Sequence, residues 1–259
     1  MSSLTASSGT AGRPWWPVAV LLALVTAPVV LAAATARQAG PVVVTGSVVS
    51  GAGAVGGWVR HRSWSRHDAV IVAALAAITA LSDRGFGAWT LLGGLCAVAL
   101  LRARGVRVPW LSWGARPWWV GVLAALPVGA ALGALNVLST KGSTSSREVG
   151  GPLHGLLGAL KAGISEELGI RLCLLAFCVY ALGGLPRTRR EQLVTYLVLV
   201  VPHAALHFVA HPSLMLSGTI WLSLLFGLPF AFLLKRFGLL PAALAHTLVD
   251  AIRVLAIGA

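Results

Sequence analysis

Acidic side chains are scarce in this chain: seven Asp and Glu among 259 residues. Charged residues of both signs reach only 10%, where a soluble domain carries about 25%. With so few charges the chain cannot cover a soluble surface, which argues against a water-soluble globular fold. Cysteine is equally sparse, and Cys96, Cys173 and Cys178 all fall within apolar stretches with no CxxC spacing. That removes a disulfide framework and a thiolate metal site, and leaves three small buried apolar residues. There is no HExxH pair, no GxSxG elbow and no Walker-type glycine loop, which argues against a zincin, a serine hydrolase and a P-loop ATPase.

What the chain does have is apolar sequence, 57% of it, with a mean hydropathy of +0.86. The few charges are segregated and leave long uncharged runs, the signature of membrane-spanning helices. The spacing predicts an all-α fold, a polytopic transmembrane helical bundle of about 8–9 spans. Residues 1–14 are Ser/Thr/Gly-rich and read as a disordered tail. The run from Trp15 to Ala36 is longer than the apolar core of a signal peptide, so it reads as a retained helix. A further weak span falls at 41–59, where glycine disfavours helix. Others follow at about 68–82, 86–101, 118–138, 152–182, 192–210, 214–234 and 239–257. The domains expected are therefore the tail, N-terminal transmembrane helices over 15–138, and a C-terminal core over 150–257.

The net charge of +13 invites a nucleic-acid reading, but the distribution of the basic residues explains it better. Arg60, Arg62 and Arg66 form one cluster; Arg102, Arg104, Arg107 and Arg116 a second; Arg187, Arg189 and Arg190 a third; Lys235 and Arg236 a fourth. They occupy alternate loops, as the positive-inside rule requires of cytoplasmic segments. Nine spans would put the amino terminus in the cytoplasm and the carboxyl terminus outside. The partners expected are the lipid bilayer and a peptide or membrane-protein substrate, with no nucleic acid. The Ala/Gly/Arg-rich composition points to a bacterial cytoplasmic membrane.

Three of the seven acidic residues, Glu166, Glu167 and Asp250, lie within apolar segments. A charge at bilayer depth costs at least about 2.5 kcal/mol, so such groups face the bundle interior and mark function. Glu167 and Arg171 are four apart and can neutralise each other on one helix face. In an α-helix Glu166 turns about 100° away from Glu167, which leaves it free to serve a site. A second cluster, His203-Ala204-Ala205-Leu206-His207, places two histidines on one helical stripe, with His211 beyond it beside Pro212 in a loop. In the third, His246 and Asp250 repeat the four-residue spacing, and Asp250 could orient or charge-pair His246 as carboxylates do for working imidazoles. At 1.5 Å per residue, Glu166 and His207 both lie about 25 Å from their cytoplasmic ends, whereas His246 lies only about 12 Å above Gly238. The third helix joins the first two only if tilted or extended.

A carboxylate, histidines and a further carboxylate from three helices can activate a water, with Glu as general base and histidines binding a metal or polarising a carbonyl. The order EExxxR, then an aromatic-xxx-His element, then HxxxN or HxxxD, resembles the CPBP family. That family contains CAAX prenyl endopeptidases and bacteriocin-processing or self-immunity proteins. Glu166-Glu167 and Arg171 match its first motif, His207 closes the second, and His246 with Asp250 fits the third. His203 stands where the family usually has Phe, and Asp250 takes a position that is often Asn. The resemblance covers about residues 150–257. It implies an intramembrane endopeptidase with Glu166, His207, His246 and Asp250 catalytic and Glu167, Arg171 and His203 supporting. By the same resemblance His207 and His246 hold zinc or another divalent metal, or form a metal-free site that stabilises an oxyanion. Two other readings stay open: a proton-coupled transporter, since buried ionisable groups also suit ion pathways, and a catalytically silent relative acting as a membrane scaffold or immunity factor.

Overall fold

The computed structural model describes residues 65–108, 110, 117–140, 151–208 and 211–257. The tail at 1–14 and the spans expected at 15–36 and 41–59 lie outside these residues. Among the described residues every regular element is helical. Helices α1 (Arg66–Ala80), α2 (Arg84–Ala103) and α3 (Trp118–Thr140) precede the matching core. Next comes α4 (Gly151–Ile164), which runs through a π-helical segment (Ser165–Leu172) into α5 (Cys173–Leu182) without a break. Helix α6 (Arg189–Leu206) and a short 3-10 turn (Pro212–Leu214) lead to α7 (Met215–Leu222), a second π-helical segment (Ser223–Gly227) and α8 (Leu228–Phe237). The last helix is α9 (Leu239–Ile257).

Among the described residues, four helical stretches are long and apolar enough to cross a membrane: Arg84–Ala103, Trp118–Thr140, Met215–Phe237 and Leu239–Ile257. The chain is thus an integral membrane protein. Four such stretches stand against the 8–9 spans expected. The difference has three sources. The first two expected spans fall outside the described residues, and α1 has only 15 residues, too few for a bilayer of about 30 Å at 1.5 Å per residue. The helices over the spans expected at 152–182 and 192–210 carry charge, with Lys161, Glu166, Glu167 and Arg171 in the first and Arg189, Arg190 and Glu191 opening the second.

Local sequence sets where the helices begin and stop. Ser65 caps α1 by accepting from the Asp68 amide at 3.0 Å, and Asp83 caps α2 by accepting from that of Phe86 at 3.1 Å. Thr188 and Glu191 form a reciprocal capping box at the start of α6, which satisfies two amides that the first turn leaves unpaired. Gly183 ends α5 at φ 70°, a left-handed conformation that costs glycine nothing.

The ends that carry the basic clusters are tied together. The carboxylate of Asp68, wholly buried, accepts from Arg102 Nη2 at 2.8 Å and from Trp110 Nε1 at 2.9 Å. Arg104 Nε donates to the Tyr180 carbonyl at 3.0 Å, and the Leu240 amide donates to the Trp110 carbonyl at 2.9 Å. The starts of α1 and α9 and the ends of α2 and α5 therefore meet on one side of the bundle, as the alternate-loop pattern requires.

Glycines let the remaining helices approach. Along α3, a Cβ on Gly121 would meet Pro241 Cγ at 2.6 Å, one on Gly129 the Ala245 carbonyl at 2.9 Å, and one on Gly133 Ile252 Cδ1 at 2.8 Å. This small-residue stripe seats α3 along α9, the kind of close packing by which membrane helices associate. On the other side of the core, Gly93 of α2 faces the backbone of Gly169 within the first π-helical segment. The N-terminal helices α2 and α3 thus brace the two elements that bear Glu166, Glu167 and His246.

Candidate active site

The first π-helical segment carries both glutamates and Arg171. Inserted π turns widen a helix and recur at functional sites. A regular α-helix would aim Glu166 and Glu167 about 100° apart; here both reach the same imidazole. Glu167 Oε1 lies 2.9 Å from His246 Nδ1, and Glu166 Oε2 lies 3.5 Å from His246 Nε2. The depth mismatch expected between α9 and the other two helices is closed in the folded chain.

Glu167 and Arg171 form the expected ion pair, and both are buried, at 0% and 1% exposure. The pair is not confined to its own helix, however. Glu167 Oε1 accepts from Arg171 and from His246 together. Because a carboxylate only accepts, His246 must carry its proton on Nδ1. Asp250, expected to orient or charge-pair His246, stands on the other ring nitrogen, with Oδ2 3.9 Å from Nε2. Two carboxylates thus face His246, Glu167 of the π-helical segment on Nδ1 and Asp250 on Nε2. Phe230 of α8 stacks on His246 with centroids 4.5 Å apart and planes 12° from parallel.

Helix α6 brings the histidine pair. Pro202 lies inside the helix, where proline lacks the amide that would bond four residues back. His203 follows it, buried, and Arg171 Nη2 lies 2.8 Å from its Nδ1. On the opposite side of the ring, His203 Nε2 lies 2.7 Å from Glu166 Oε2. His207 caps the end of α6 and is exposed, its ring 5.3 Å from that of His203. The deeper place in the bundle belongs to His203. His211 stands apart, exposed, beyond the end of the helix.

These side chains border a cavity of about 430 Å³, a size that suits small-molecule or peptide segments. Glu166, Arg171, His203, His207, His246 and Asp250 all line it. Lys161 of α4 and Arg253 of α9 line it too, and the sequence reading passed over both. The depth argument that singled out acids applies equally to cations in apolar runs, and would have flagged them. Phe230 left no comparable signal, since one aromatic among apolar neighbours is ordinarily core.

Among the described residues, ligand atoms of Glu166, His203 and His207 lie within 4.8 Å of one another, close enough to hold a metal ion. This group differs from the His207–His246 pair expected. Its donor chemistry is less suited to a metal than its spacing. A guanidinium can only donate, so His203 Nδ1 spends its lone pair on Arg171 and Nε2 carries the proton. His203 has no lone pair left for a metal while that contact stands, and two ligands do not make a site.

The fold and the cluster define a helical membrane protein with an internal carboxylate–histidine site. Residues 149–252, from just before α4 into α9, match the family described as type II CAAX prenyl endopeptidase Rce1-like. That segment is thus similar to a family of endopeptidases. No curated protein and no solved structure matches the chain.

Proposed function

We propose that the chain is an intramembrane endopeptidase in which Glu166 activates the attacking water. The observation that carries this reading is the position of Glu166 Oε2 between His203 Nε2 at 2.7 Å and His246 Nε2 at 3.5 Å, on the wall of a cavity within an apolar bundle. Both imidazoles fall on Oε2, so Oε1 is the oxygen available to a water. As general base, Glu166 takes one proton from that water while the resulting hydroxide adds to the scissile carbonyl. The same proton passes to the leaving amine when the tetrahedral intermediate collapses. The carbon–nitrogen bond breaks at that point, and a carboxylic acid and an amine result, the acid then giving its proton to the amine or to solvent.

His207 stands exposed at the cavity and is suited to donate to the carbonyl oxygen as negative charge gathers there. His246, held from behind by Glu167 and Phe230, presents Nε2 to the reacting side, and Asp250 completes its surroundings. The substrate is a peptide segment of a membrane-associated protein that reaches the cavity at bilayer depth, in a bacterial cytoplasmic membrane with the basic helix ends facing the cytoplasm. The C-terminal core, residues 150–257, supplies every one of these groups, and the N-terminal helices brace it.

The test is cleavage of a quenched peptide library by the purified protein in liposomes, with and without a chelator, comparing wild type with Glu166→Gln and His246→Ala. Cleavage by wild type that both substitutions abolish and the chelator spares supports this mechanism. Cleavage lost on chelation would restore the metal reading. A folded wild type that cleaves nothing across a broad library would favour a catalytically silent relative or a transporter.

A further inference from the structure

His203 touches the base but has no chemical step of its own in the catalytic scheme, and its contacts are directional. Arg171 is an obligate donor, and its Nη2 lies 2.8 Å from His203 Nδ1. Nδ1 must therefore accept, and the one hydrogen of the neutral ring sits on Nε2. That nitrogen faces Glu166 Oε2 at 2.7 Å. The two atoms are close, but Nε2 makes no hydrogen bond in this structure; catalytic hydrogen bonds commonly form or tighten only when substrate is bound. Arg171 is itself held by Glu167, which also fixes His246. The arginine is buried, and so is the ring of His203, so packing holds both in these directions.

We infer that His203 is a positioning residue for the base: Arg171 locks its ring in the Nε2–H tautomer, and that N–H pins Oε2 of Glu166 so that Oε1 meets the water. The inference rests on the endopeptidase reading for its consequence, but the tautomer itself does not. The same arrangement gives the position a cost that an apolar ring would not carry. A phenyl group at 203 would leave Arg171 Nη2 without its acceptor and the Glu166 carboxylate free to rotate.

Two measurements on the full-length protein in nanodiscs test it. Nitrogen-15 spectra of histidine-labelled protein, with His203 assigned by its loss in His203→Phe, report which ring nitrogen bears the proton. A pyrrole-like Nε2 with a pyridine-like Nδ1 is expected; the reverse tautomer overturns the inference, whether or not the protein cleaves anything. Steady-state kinetics supply the second reading. Loss of one hydrogen bond to a charged group predicts that His203→Phe lowers kcat by roughly 10- to 100-fold, with KM unchanged within about twofold, as for an interaction made only in the transition state. His203→Gln, whose amide can donate near the Nε2 position, recovers most of that loss. His203→Asn, which reaches Arg171 but not Glu166, does not. Equal activity of the Phe and Gln variants, or wild-type turnover in His203→Phe, would overturn the positioning role. A wild type that is inactive on every peptide counts against the endopeptidase reading, and the spectrum still decides the tautomer.

Discussion

Glu167 Oε1 accepts from Arg171 on its own helix and from His246 Nδ1, 2.9 Å away on α9. One carboxylate oxygen thus joins a local ion pair to a contact spanning 79 residues of sequence. Removing either charge leaves the other buried without its counter-ion. Glu167→Ala and Arg171→Ala should each destabilise the protein by about 3–5 kcal/mol, the usual cost of breaking a buried pair. The double variant should fall short of the sum. Thermal unfolding in a single detergent, run as a double-mutant cycle, checks this; strictly additive losses would show that the two groups do not act as a unit.

Glu166 should behave in the opposite way. Glu166→Gln keeps the shape and removes an acid from an apolar interior, so the melting temperature should hold or rise. Cleavage should fall by about 10²- to 10⁴-fold, the contribution of a positioned general base. Peptide hydrolysis and melting measured on the same preparation separate these effects. A variant that retains turnover would dismiss Glu166 as the base.

Gly93 and Gly169 bring α2 against the first π-helical segment. A Cβ on Gly93 would sit 2.5 Å from the Gly169 carbonyl oxygen and 2.9 Å from its Cα. Backbone cannot rotate aside as a flexible side chain can, so the helices must separate. Gly93→Ala should cost about 1–3 kcal/mol as overpacking, and should lower turnover because the segment that moves carries Glu166. Gly158, whose Cβ would meet nothing within 4 Å, is the control for stability: Gly158→Ala should leave melting nearly unchanged. Melting and cleavage assays on the two variants decide the matter.

Trp110 donates through Nε1 to Asp68 Oδ1 at 2.9 Å while Arg102 holds Oδ2. Trp110→Phe removes a hydrogen bond to a charged group and should cost about 1.5–3 kcal/mol of stability. The site lies elsewhere in the bundle, so kcat should stay near wild type. A turnover defect without a melting defect would contradict the purely structural role of this knot.

Much of the site was legible because the membrane makes polar residues conspicuous. Glu166, Glu167 and Asp250 stood out as acids in apolar runs, and His203, His207 and His246 as histidines at four-residue spacing. Helices α2, α3 and α9 follow the expected runs at 86–101, 118–138 and 239–257 within a few residues, since uninterrupted apolar sequence flanked by charge or glycine leaves little choice. Less legible was the pairing. Helical geometry with a regular 3.6-residue turn aimed Glu167 away from Glu166 and assigned Asp250 to His246. Asp250 does stand in ion-pair range of His246 Nε2, and the structure adds Glu167 on the other ring nitrogen, because widening one turn changes the direction of every side chain in it. No local residue type announces such a turn, which is stabilised by the contacts it creates.

By itself the sequence determined that the chain is a helical membrane protein, and which few side chains could carry chemistry. Both conclusions follow from transfer free energy, which acts residue by residue and needs no knowledge of neighbours. Only the tertiary structure decided which histidine lies against Glu166, which carboxylates face His246 and which ring nitrogen of His203 bears the proton. Those depend on hydrogen-bond direction across three helices, and direction is set by packing, where Gly93 meets Gly169 and Gly129 meets Ala245, rather than by composition or spacing along any one segment.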